Sequence, residues 1–193
     1  MGLSIESGWL QGAERHLSPN QDDRPGGARI ELVLVHGISL PPGRFGGEGI
    51  DRLFTNRLDP SSHPYYAEIA DLRVSAHLLI RRDGHLVQYV PFHRRAWHAG
   101  ISCHEGREQC NDFSVGIELE GTDDTPYRPV QYRRLARVIA ALRKAYPDIG
   151  PGNVVGHCHV APGRKTDPGP AFRWRLLARL RHRAERGLAS TVA

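Results

Sequence analysis

Cysteine is scarce in this 193-residue chain, confined to Cys103, Cys110 and Cys158. An odd number without framework spacing excludes a disulfide scaffold and points to a reducing compartment. No apolar run approaches the roughly 20 residues that crossing a bilayer takes. The opening, MGLSIESGWLQGAERH, lacks the basic start and apolar core of a secretion signal. Met-Gly meets only part of a myristoylation pattern. Nor is charge of one sign in large excess: 26 basic residues face 21 acidic ones, a formal +5. That balance suits anionic small molecules, nucleic acid or plain solubility alike. Repeats and low-complexity segments are absent too. These absences predict a cytoplasmic protein of one domain, with no membrane partner and enough chain to bury a core.

What is present alternates between strand and helix patterns. SPNQDDRPGGA (18–28) reads as a polar loop, and IELVLVH (30–36) as a buried strand. GEGIDRLFTNRL has helical spacing at Ile50, Leu53 and Phe54. AHLLIRRDGHLVQYV reads as a hairpin turning at Asp83-Gly84. SVGIELEG (114–121) is a further strand, and NVVGH a last short one. YRPVQYRRLARVIAALRKAYP repeats apolar residues at Leu135, Val138, Ile139 and Leu142, an amphipathic helix ending near Pro147. AFRWRLLARLRHRAERG is a terminal helix with Gly187 as its natural stop. The predicted fold is α/β, a single domain with a central mixed β-sheet flanked by α-helices. Residues 1–29 are expected to be an N-terminal extension packed on a domain spanning 30–186, with 187–193 a disordered tail.

The stretch GHCHVAPGRKTDPGP (156–170) crowds Gly and Pro around two histidines, a cysteine, a lysine and an aspartate. A loop so stiffened holds side chains in place. His36 ends one predicted strand and His157 another, and function gathers where strand ends and loops converge. A single histidine at such a place is more often a hydrogen-bonded rim residue. Together with Asp167, however, the two imidazoles make a three-ligand zinc set with a fourth position left for water. A water activated there needs a general base. In VGIELEG, Glu118 and Glu120 share a strand face opposite Val115, Ile117 and Leu119. One of the two is a candidate base, and the other a solvated residue on a wet sheet face.

Rival constellations are weaker. HEGRE (104–108) misses HExxH by one residue, and reads as loop. Cys103, His104 and Cys110 lack a fourth metal partner. Cys158 beside His159 suggests a cysteine amidase, but strand neighbours point to opposite faces, so Cys158 is expected to be buried and inert. The arginines of the terminal helix surround an apolar stripe of Phe172, Leu176, Leu180 and Ala184, which suits a docked helix with a solvated basic face. No nucleic-acid motif accompanies them.

LVHGISLPPGRFGG, VSAHLLIRRDGHLVQYVPF, RAWHAG, CNDFSVGIELEGTD and GHCHVAPGRKTDPGP, in this order from Leu32 to Pro170, resemble the AmpD amidases of Gram-negative bacteria. These are similar to the wider type-2 N-acetylmuramoyl-L-alanine amidases and the peptidoglycan recognition proteins. The resemblance implies a type-2 amidase fold. It implies zinc as cofactor on His36, His157 and Asp167, and Glu118 and Lys165 as catalytic residues. It implies hydrolysis of the amide between 1,6-anhydro-N-acetylmuramic acid and L-alanine in a small-molecule anhydromuropeptide. That reaction is a cytoplasmic step of cell-wall recycling that affects β-lactamase induction, with no obligate protein partner. An amidase acting on intact peptidoglycan, or a non-catalytic muropeptide binder, are the alternatives. Arg73, His77, Trp97, His98 and Arg107 fall where the family builds its substrate groove. Gly37 stands where asparagine is common, which would remove an amide from beside the zinc.

Overall fold

The computed structural model describes residues 3–189. The N-terminal segment forms the short strands β1 (Ile5–Glu6), β2 (Trp9–Leu10), β3 (Glu14–Arg15) and β4 (Gln21–Asp22). Strand β5 (Leu32–Ile38) follows, then helices α1 (Gly49–Phe54) and α2 (Pro64–Ile69). β6 (Leu78–Ile80) and β7 (Leu86–Gln88) form the predicted hairpin, with Gly84 at φ 87° in its turn. Next come β8 (Arg95–Ala96), the β9 (Cys103–His104) and β10 (Arg107–Glu108) hairpin, and the long strand β11 (Ser114–Glu120). Helix α3 (Pro129–Ala145), strand β12 (Val154–Gly156), the single turn α4 (His157–Val160) and helix α5 (Trp174–Ala189) complete the order.

The central sheet has six strands in the order β12-β5-β11-β6-β7-β3. β12, β5, β11 and β6 run parallel, while the β6–β7 pair is antiparallel, so the sheet is mixed. On one face, Val33, Val35, Val115, Ile117 and Leu119 pack against Leu135, Val138, Ile139 and Leu142 of α3 and Leu177 of α5. On the other, Leu32 and Leu34 meet Phe113 and Val160. Beside them Leu79, Val87 and Tyr89 meet Ile50, Leu53 and Phe54 of α1. Each such side chain contributes about 1.5–3 kcal/mol on full burial. α3 starts at Pro129, whose missing N–H is no loss in a first turn. Gln131 closes that turn by accepting from the Arg128 N–H (3.0 Å). Arg143 and Lys144 in the last turn complement the helix dipole.

Several expectations change. Because both sheet faces are largely covered, β11 is buried along its whole length. The 18–28 stretch is not all loop: β4 pairs with β8, and Ser18 and Asn20 are buried. HEGRE turns through Glu105 and Gly106, both at positive φ, as the β9–β10 hairpin. His157 starts a helical turn instead of ending a strand, so Cys158 and His159 lie on α4, and Cys158 is only half-buried. Gly187 does not stop α5, which runs to Ala189 because its packing on α3 outweighs one glycine. Of the expected tail, residues 190–193 lie outside those described.

Candidate active site

Strand register brings the chemistry together. β11 and β5 pair in parallel with Glu118 opposite His36, so the two side chains share a face. β12 pairs with the other edge of β5, Gly156 opposite Val35, which delivers the next residue, His157, beside His36. Their Nδ1 atoms are 3.1 Å apart. The Gly/Pro loop folds back, and the Cys158 N–H donates to the Asp167 carbonyl (3.0 Å). Asp167 Oδ2 thereby comes to 3.1 Å from His36 Nδ1 and 3.2 Å from His157 Nδ1. Donor atoms of all three residues lie within 4.8 Å of one another.

Outer partners assign the ring protons. His157 Nε2 is 3.0 Å from the Ala99 carbonyl, which only accepts, so Nε2 carries the hydrogen and Nδ1 turns a lone pair inward. His36 Nε2 lies 3.0 Å from His98 Nδ1, and His98 Nε2 lies 3.4 Å from Ser114 Oγ, a relay that allows His36 the same tautomer because the serine hydroxyl can accept. Two lone pairs and a carboxylate oxygen this close repel one another unless a cation sits among them. The set therefore fits zinc in donor type and number, with outer hydrogen bonds of the kind that orient metal-bound imidazoles. Burial pushes the His36 pKa down, against the pull of Asp167. Burial raises the Asp167 carboxyl, whereas the His157 and His36 rings, where they carry protons in place of a metal ion, hold it well below the usual range.

Glu118 differs from every other carboxylate here. It is buried, and its Oε2 has no hydrogen-bond partner among the described residues. Burial, then the neighbouring Asp167, lift its pKa well above the ordinary value, while Lys165 pulls it down. Glu120, expected to be solvated if not catalytic, is more deeply buried still. It accepts from the Gly46 N–H (2.5 Å) and the Arg82 N–H (3.0 Å), tying a glycine-rich loop to the β6–β7 hairpin. Lys165 is exposed on the rigid loop. With His36, Glu118, His157 and Asp167 it lines a cleft of ≈ 630 Å³, whose lining also includes Leu53, Tyr65 and Val74.

The groove residues read from sequence divide. Trp97 and His98 line the cleft, Trp97 donating from Nε1 to Asp22 Oδ1 (3.2 Å). His98 also hydrogen-bonds His36. His77 does not line it: fully buried behind Gly116, it accepts that residue's N–H at Nδ1 (3.0 Å). Arg73 also lies outside the lining, donating to the Ala70 and Leu72 carbonyls. So does Arg107, which pairs with Glu31 and stacks over the Phe113 ring. Sequence reasoning missed Arg164, which lines the cleft and donates to the Ala99 and Ile101 carbonyls. It missed Arg24 as well, which enters the interior and donates to the Asn111, Asp112, Phe92 and Ser114 carbonyls. Arg24 carries no local signal in its polar stretch, whereas Arg164 lies inside the Gly/Pro loop beside Lys165, and that placement is the one signal that marks it.

Gly37 also reads differently. Position 37 alternates away from His36, and a Cβ there would collide with the Tyr127 hydroxyl. An amide at that position would meet Tyr127 instead of standing beside the donor set. His159 is likewise outside the cluster, its Nδ1 accepting from the Gly156 N–H (3.0 Å).

A mixed sheet here brings three candidate metal donors next to a buried glutamate, an arrangement that suits metal-assisted hydrolysis. The chain belongs to the N-acetylmuramoyl-L-alanine amidase family, whose model matches residues 26–170, and within it to the AmpD group. It is 62% identical over 172 residues to the 1,6-anhydro-N-acetylmuramyl-L-alanine amidase AmpD of Escherichia coli (strain K12), covering 89% of this chain and 93% of that one. A crystal structure of a selenomethionine AmpD derivative superposes with a TM-score of 0.89 at 58% identity, over 91% of this chain and 98% of that one. The amidase AmiD of Escherichia coli, in complex with the substrate anhydro-N-acetylmuramic acid-L-Ala-D-γ-Glu-L-Lys, matches with a TM-score of 0.58 at 29% identity, over 93% and 65%.

Proposed function

We propose that this protein is a zinc amidase that cleaves the bond between 1,6-anhydro-N-acetylmuramic acid and L-alanine in anhydromuropeptides, in the cytoplasm, during peptidoglycan recycling. The observation that carries the chemistry is Glu118: a buried carboxylate with an unpartnered oxygen, beside three convergent metal-donor side chains. The substrate assignment rests on the AmpD relatives and on the anhydromuropeptide seated in the related amidase.

His36, His157 and Asp167 would hold the zinc ion. Bound there, it supplies Lewis acidity toward the lactyl carbonyl and lowers the pKa of water to about 7. Glu118, its pKa raised by burial, accepts the proton of the attacking water. As the carbon–nitrogen bond breaks, the same carboxyl returns that proton to the departing L-alanine nitrogen. Lys165, on the lining of the same cleft, would place a cation near the oxygen on which negative charge develops, a contact typically worth about 2.7–4 kcal/mol. His98 and the Ala99 carbonyl keep the two imidazoles turned inward.

Parallel assays on 1,6-anhydro muropeptides, reducing-end muropeptides and insoluble sacculi, with cell fractionation, test this. Preference for the anhydro sugar and recovery from the cytoplasm are expected. Comparable peptide release from sacculi, or a periplasmic location, would make it an amidase of intact wall. Stoichiometric binding without release would make it a muropeptide-binding protein.

A further inference from the structure

Three segments must meet for the donor set to form, and each carries a small residue next to its donor. Gly37 follows His36, Gly156 precedes His157, and Pro168 follows Asp167. Pro168 sits between the two glycines. A Cβ at Gly156 would come within 2.8 Å of Pro168 Cδ, and one at Gly37 within 3.5 Å of Pro168 Cα. Real Cβ atoms essentially never make the first contact, and a proline ring is not a flexible side-chain end that could swing away from it. The proline beside Asp167 thus lies in a slot that Gly156 keeps open, while a Cβ at Gly37 would reach it only at ordinary contact distance.

One side chain closes that slot. Tyr127 comes from the 122–128 segment, distant in sequence from all three donors. Its ring is buried against Phe172 and lies over Gly121, where a Cβ would collide with it. Its hydroxyl reaches the face of Gly37 and donates to the Pro168 carbonyl (3.0 Å). The same segment grips the loop again where the Ala171 N–H donates to the Asp123 carbonyl (2.9 Å).

We propose that Tyr127 is a positioning residue for the metal centre, its hydroxyl latching the Pro168 carbonyl so that Asp167 is held in register with His36 and His157, in space that Gly37 leaves free. Tyr127 touches no donor atom and acts through the backbone of the loop. Gly37 and Tyr127 form a coupled pair, because the side chain that position 37 lacks would occupy the space the hydroxyl fills. The inference rests on the metal reading of the donor set given above.

Zinc affinity measured by competition with a chromophoric chelator, alongside thermal melts of the metal-free protein, separates the possibilities. Tyr127→Phe keeps the ring and removes only the latch. It is expected to weaken zinc binding on the order of tenfold, as loss of an outer partner typically does, and to lower the apo melting temperature only by what one unpaired buried carbonyl costs. Gly37→Ala is expected to weaken zinc similarly by pushing the hydroxyl aside, and to add little in the Tyr127→Phe background. Wild-type zinc affinity in Tyr127→Phe, or additive losses in the double variant, would overturn the latch. A lowered apo melting temperature with unchanged zinc affinity would overturn it too, making Tyr127 a core residue. His157→Ala serves as the control. If that variant keeps zinc, the metal assignment itself fails and the latch with it. If it loses zinc while Tyr127→Phe binds normally, only the latch fails.

Discussion

Glu118 and Glu120 stand two residues apart on one face of β11, yet their surroundings give them different work. Glu118 has an orphan oxygen at the cleft, whereas both Glu120 oxygens are satisfied by backbone N–H groups. Glu118→Ala is expected to lose about 10²–10⁴-fold in turnover while zinc content stays at the wild-type level. Glu120→Ala is expected to show its main effect in stability. It leaves two N–H groups without their acceptor, a loss of about 1–3 kcal/mol in a denaturant melt. Equal loss of turnover in both variants, after correction for folded fraction, would contradict this division. Elemental analysis draws the parallel distinction between the histidines: His157→Ala is expected to lose zinc, and His159→Ala to retain it. Retention by the first and loss by the second would reverse the ligand assignment.

At the scale of elements, the parallel pairing of β5 with β11 carries the site, and Gly116 lies in its middle. The His98 ring rests on Gly116, where any Cβ would collide with it, and His77 caps the same residue's N–H. Gly116→Ala is therefore expected to push His98 away from His36. It should destabilise the fold by about 1–3 kcal/mol through overpacking and weaken zinc retention against a chelator. A variant with wild-type melting and metal affinity would show that His98 does not depend on that glycine. Gln131 joins elements in another way: its Nε2 donates to the Ile80 and Glu120 carbonyls, tying α3 to the ends of β6 and β11. Gln131→Met should cost about 1–3 kcal/mol for the two unpaired carbonyls, measured by chemical denaturation, with Glu118-dependent chemistry preserved in the folded fraction.

Taken whole, the molecule encloses imidazoles in its interior: His36, His77 and His157 are all buried. Burial holds His77 and His98 well below the usual imidazole pKa, with neighbouring Arg24 adding to the effect on His77 and His36 to that on His98. The unfolded chain takes up protons near pH 6.5, and the folded chain does so only at lower pH. Between those values the unfolded state binds more protons, so stability is full above pH 6.5 and declines as pH falls below it. These two histidines are expected to lower the melting temperature of the metal-free protein as pH falls from 7.5 to 5.5. Glu118 partly offsets that loss, because its raised pKa lets the folded state keep a proton that the unfolded chain releases. His77→Gln should flatten part of that decline, and an unaltered slope would place the proton uptake elsewhere.

Strand and helix periodicity by themselves determined the α/β class, the Asp83-Gly84 hairpin and the extent of α3, because each depends on residues a few positions apart. The Gly/Pro stiffening of 156–170 marked the loop that carries Asp167 for the same reason. Motif order in the chain was enough to name the family. What only tertiary structure decided were relations between segments far apart. The β5–β11 register set Glu118 against His36, and packing on both sheet faces turned Glu120 from a solvated residue into a buried tether. Arg107 was drawn away from the cleft by Glu31 and Phe113. Tyr127 and Gly37, 90 positions apart (127 less 37), became one device. Side-chain alternation and helical period are local properties that a sequence displays. The excluded volume that lets one hydroxyl sit where another side chain is missing exists only once the chain has closed on itself.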